Sequence, residues 1–234
     1  MKKILLSIYG AALVCAASFQ AHANTILNDA GTGTVGIAGA NANFGYDFTV
    51  GSTPLLVTAL GLWDGPAFRV GVGAIGSIGD GFASEHVVGL WDNSGNLLAK
   101  AVMQIGTGDT LVGEFRYAAT LIPTNPGPVI LSANTTYVLG AAYLMFDQDP
   151  FKANDSATQA TFDPAVSSGM ARSSPGGFSF PSDSFGAGSL VGPNAMFTLV
   201  TNGNGHGVPE SGTTAVLMLV ALGGLLGLRR VVRA

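Results

Sequence analysis

The spacing of apolar residues between positions 24 and 200 is what most limits the folds open to this chain. They come in short bursts closed by Gly, Pro, Asn or Ser, and no stretch shows the 3.6-residue repeat of an amphipathic helix. Phe44, Tyr46, Phe48 and Val50 alternate with Gly45, Asp47 and Thr49, the period-two pattern of a half-buried strand. Leu55–Trp63 is apolar enough to be buried on both faces. Residues 87–91 and 97–104 flank Asp92, Asn93, Ser94, Gly95 and Asn96, which reads as a hairpin whose turn residues tolerate positive φ. Phe115, Tyr117 and Ala119 alternate with Glu114, Arg116 and Ala118 in a further strand. Pro123, Pro126 and Pro128 interrupt the next connection, because proline cannot donate to a ladder. Residues 129–131 and 136–146 follow, the second apolar at both parities and so expected at the centre of a sheet. From 147 to 194 the chain is rich in Gly, Ser, Pro and Asp and reads as loop, with weak strands around 160–162 and 178–180. Residues 195–200 form a closing strand.

Roughly seven to nine short strands with turn signals between them point to an all-β, antiparallel β-sandwich of jelly-roll-like connectivity. A parallel α/β sheet would need crossover helices, and the pattern contains none. The expected organisation is a signal peptide at 1–23, the sandwich at 24–200, a Gly/Asn linker and short motif at 201–212, a transmembrane helix at 213–228 and a basic cytoplasmic tail at 229–234.

Charge is distributed unevenly along this plan. Of the ten basic residues, Lys2, Lys3, Arg229, Arg230 and Arg233 lie in the two ends, whereas all fourteen acids lie between Asp29 and Glu210. Five basic groups against fourteen acids give the part between the ends a formal charge of −9. Such a surface repels nucleic acid, so no nucleic-acid partner is expected. The single cysteine, Cys15, lies in the N-terminal segment, which leaves the body without disulfides, thiolate metal sites or a cysteine nucleophile.

Both ends read as targeting segments. Lys2 and Lys3 precede an apolar stretch, and Ala21 and Ala23 place small residues where signal peptidase reads, so that cleavage would make Asn24 the first mature residue. Residues 213–228 carry no charge and would make a helix of roughly 24 Å, slightly short of a bilayer core of about 30 Å. Arg229, Arg230 and Arg233 after it would stay on the cytoplasmic side and leave the body outside. The order Val208, Pro209, Glu210, Ser211, Gly212, then apolar helix, then basic end resembles the PEP-CTERM sorting signal of bacterial surface proteins, in its V-P-D-S-G-like variant. Ser211 stands where the commonest form has a second Pro. The resemblance implies processing by an exosortase near the motif. The protein would then pass through the inner membrane on its helix and reach the cell surface or extracellular matrix.

The body resembles an uncharacterised extracellular domain that recurs in exported bacterial proteins. The shared phrases are A-L-G-L-W-D at 59–64, G-D-G-F-A-S-E-H-V-V-G-L-W-D at 79–92, S-G-N-L-L-A at 94–99 and L-S-A-N-T-T-Y at 131–137. That resemblance implies a sandwich and supplies no catalytic residues.

Candidate binding groups are few. G-L-W-D occurs twice, and its strand ends would bring Trp63, Asp64, Trp91 and Asp92 to one edge, either as a sugar platform or as core indoles with turn-capping acids. His86, the one histidine of the body, has Ser84 nearby but no G-x-S-x-G elbow and no second histidine for zinc-protease chemistry; it is expected at a sheet surface. Glu85 and Glu114 would be the carboxylates of a glycosidase. Asp147, Asp149, Asn154 and Asp155 share a polar loop whose hard oxygens suit Ca²⁺, although the spacing is not that of an EF-hand. No catalytic set emerges. The expected role is structural or adhesive within an envelope or exopolysaccharide layer, with a polysaccharide-binding module as the alternative and a glycoside hydrolase behind it.

Overall fold

A computed structural model describes residues 23–31, 34–154, 160–187 and 189–200. Ala21, Asp155, the linker, the V-P-E-S-G motif and the basic end lie outside the described residues. So does 213–228; among the described residues no helix is long and apolar enough to cross a membrane.

The described chain is all-β, and every strand pairing is antiparallel. In the first large sheet Leu55–Trp63 is central. Pro193–Leu199 pairs along one edge of it, and Val129–Leu131 and Phe115–Tyr117 pair successively along the other. Asn24–Thr25 and Thr110–Val112 complete the two sides. The second sheet runs Ile122–Pro123, Leu97–Met103, His86–Asp92, Thr136–Tyr143, Ala42–Val50, Val166–Pro175, Asp183–Ala187. Leu55, Leu60, Leu62 and Phe197 from the first sheet and Phe48, Leu90, Leu139 and Tyr143 from the second share one buried cluster, the sandwich-like arrangement that two half-apolar sheets require.

Thr136–Tyr143 is central in its sheet, as its double-sided apolar pattern demands, but it ends three residues before the expected limit. Phe146 adopts φ 58°, its N–H donates to the Ala38 carbonyl, and Leu144, Met145 and Phe146 are exposed in the resulting turn. The larger departure is the stretch expected to be loop. Val166–Pro175 is a ten-residue strand beside Ala42–Val50, and Phe151–Asn154 pairs with Thr34–Gly36. Residues 178–180 form no strand; Phe178 and Phe180 instead pack on Trp91.

Candidate functional site

The indoles do not share an edge. Trp63 ends the central strand of the first sheet and is 1% exposed within the common core, its ring leaning over Gly65, where a Cβ would collide with it. Trp91 belongs to the second sheet and lies over Gly89, its neighbour on the same face of the strand. It is 3% exposed beneath Phe178 and Phe180. A sugar platform needs an open ring face, and these two rings are covered. Asp64 is buried and ion-paired with Arg116, whose guanidinium also donates to the carbonyls of Gly79, Thr107 and Asp109. Asp92 caps the hairpin turn. Glu85 is exposed, while Glu114 accepts a hydrogen bond from Trp63 Nε1 at 3.3 Å and lies 3.9 Å from Lys152.

The densest chemistry gathers around His86. Far from being a sheet-surface residue, it is 1% exposed, wedged between the rings of Phe82 and Tyr143. The turn that follows Thr136–Tyr143 brings Asp147 and Asp149 against it. His86 Nε2 lies 2.8 Å from Asp149 Oδ2 and 3.9 Å from Asp147 Oδ2, and Nδ1 is 2.9 Å from the Ala142 carbonyl. Ser84 Oγ sits 3.4 Å from Nε2 and 3.3 Å from each of the two Oδ2 atoms. The backbone fixes the acids in turn. Asp149 accepts from the N–H groups of Ala83 and Ser84, and Asp147 accepts from that of Leu144.

Burial and pairing pull the titrations in opposite directions. Burial would lower the His86 pKa, but the Asp149 and Ala142 acceptors, together with the charges of Asp149 and Asp147, outweigh it and hold the pKa above its ordinary value. For Asp149 burial works upward, yet the His86 and backbone hydrogen bonds prevail and the pKa is lowered. Asp147 has too few such partners to offset its burial, and its pKa is raised.

The connectivity differs from a hydrolytic triad. A serine nucleophile needs its base through one ring nitrogen and the orienting acid on the other. Here Ser84 and Asp149 both address Nε2, and Nδ1 is committed to a backbone carbonyl. What the arrangement can do is hold a cation or a proton among converging donors. Its parts lie 63 residues apart, so no local motif announces it; the sequence trace is Asp147-Gln148-Asp149 together with the body's one histidine.

Compared with known proteins, the chain matches no family model and no curated sequence.

Proposed function

We propose that this chain is an exported domain of the sandwich type with jelly-roll-like connectivity, serving a structural or adhesive role in the cell envelope or exopolysaccharide layer. Signal peptidase cuts after Ala23. The helix at 213–228 holds the protein transiently in the inner membrane, and an exosortase acts at Val208, Pro209, Glu210, Ser211 and Gly212.

The observation that carries this reading is the pairing of Asn24. Asn24, the residue after the expected signal-peptidase position, pairs with Phe197, so a mature chain that starts there keeps its first residue in the sheet. The polar groups agree with a scaffold: Asp64, Asp47 and Asp92 are engaged in ion pairs and turns, and both indoles are covered.

Terminal peptide mapping by mass spectrometry on protein from fractionated cells tests the reading. The expected mature chain begins at Asn24 and ends between 208 and 212. Mature membrane protein whose peptides reach Arg229 or beyond would make the tail a permanent anchor and remove the exosortase step.

A further inference from the structure

We infer that Ser84, His86, Asp147 and Asp149 form a closed binding site for one divalent transition cation of the Zn²⁺ type, which clamps the turn after Thr136–Tyr143 onto the start of His86–Asp92. This inference stands apart from the export reading.

Geometry is the first support. The His86, Asp147 and Asp149 ligand atoms all lie within 4.8 Å of one another. With Ser84 Oγ they make a four-cornered figure whose known edges are 2.8, 3.3, 3.3, 3.4 and 3.9 Å. Bonds of about 2.0–2.2 Å in a tetrahedral zinc site put neighbouring donors about 3.3–3.6 Å apart, inside that range.

Charge and hydrogen bonding supply the second. Nδ1 donates to the Ala142 carbonyl and so turns Nε2 toward the two carboxylates; the same second contact orients metal-bound histidines. Nε2 lies 2.8 Å from Asp149 Oδ2 and 3.9 Å from Asp147 Oδ2, so one cation placed there faces both acids. Asp147 has a side chain only 5% exposed, and its Oδ1 is buried with no hydrogen-bond partner. A divalent cation balances both acids at once.

Donor type selects the metal. Ca²⁺ takes six to eight oxygens at longer range, whereas one imidazole, two carboxylates and a hydroxyl in a tight cage suit Zn²⁺ and its neighbours. Four protein donors, with His86 and Asp149 buried and Ser84 and Asp147 half-buried, leave no open position, as in a structural site.

The test uses the full chain, purified without a histidine tag, stripped with chelator and titrated with Zn²⁺ alone by calorimetry. The expected result is one Zn²⁺ per chain and a rise in melting temperature. Asp147→Asn preserves size and the acceptor for Leu144, and should weaken Zn²⁺ binding at least about tenfold. His206→Ala, a change in the linker sequence at a residue that is not one of the proposed ligands, should change nothing. Co²⁺ added to the stripped wild type should give the intense visible bands of a low-coordinate site, a readout that needs no variant to fold. A wild type that takes up no Zn²⁺, affinity unchanged in Asp147→Asn, or affinity lost in His206→Ala would each overturn the assignment.

Discussion

At the scale of single residues, the two acids of the G-L-W-D repeat show how one motif serves two physical ends. Asp64 is buried against Arg116 and ties together the segments that contribute Gly79, Thr107 and Asp109. Asp92 stays at the surface, where Oδ1 accepts from the N–H groups of Ser94 and Asn96 at 2.9 Å and Oδ2 accepts from the Asn96 side chain at 2.7 Å. The Asn96 side chain, then its backbone, lead the set of donors that lowers the Asp92 pKa from 3.8. A carboxylate whose folded pKa is depressed contributes its stability above the unfolded value and loses it as pH falls through the folded one. Asp92→Asn should therefore be less stable than wild type near neutral pH, and the gap should close on acidification below 3.8. Urea denaturation of the pair across pH checks this; a gap independent of pH would place the effect in the turn's backbone and not in its charge.

Elements explain which parts of the fold were legible. Strands with one dominant signal, alternation in Ala42–Val50 or continuous burial in Leu55–Trp63, stand out because each position's fate depends on its own side chain. Val166–Pro175 carries neither signal. Its outer half is exposed Ser, Ser, Gly and Met, and its register shifts between Ser168 and Ala171, so no two-residue repeat survives the irregularity. That shift is built around Asp47, a residue whose polar place in the alternation suggested solvent. The Met170 N–H donates to Asp47 Oδ1 at 2.6 Å, and Arg172 Nε donates to Oδ2 at 2.8 Å while its Nη2 lies 2.6 Å from the same oxygen. Gly169 leaves the space, since a Cβ there would overlap the carboxylate. The cluster around His86 escaped sequence reading for a related reason: its strand and its turn meet only through pairing of distant segments. Asp47→Ala removes the acceptor of a backbone N–H and of a largely buried guanidinium, and should cost about 2–3 kcal/mol in urea denaturation. A change under about 0.5 kcal/mol, the range of an ordinary surface substitution, would mean that the strand holds without this side chain.

For the described domain as a whole, the decisive contact joins its two chain ends. Asn24–Thr25 pairs with Met196 and Phe197, and Ile26 and Leu27, the next residues, are fully in the core. Asn194, wholly buried, bridges them: its Oδ1 accepts from the Leu27 N–H at 2.9 Å, and its Nδ2 donates to the Leu27 carbonyl and to the Tyr117 hydroxyl at 2.9 Å each. An amide is the one side chain that can return both halves of a peptide group's hydrogen bonding and still reach a phenol. Ile26 and Leu27 therefore cannot be lost without opening the core. Asn194→Ala would leave the Leu27 N–H and carbonyl and the Tyr117 hydroxyl without these partners, and should cost about 2–4 kcal/mol. Tyr117→Phe removes one bond of the set and should cost about 1 kcal/mol. Equilibrium denaturation of the two variants, with hydrogen exchange read at Leu27, checks the ranking: the Leu27 amide should lose protection in Asn194→Ala and keep it in Tyr117→Phe. Equal protection in both would mean that strand pairing alone holds the N-terminal segment and that Asn194 is not its clasp.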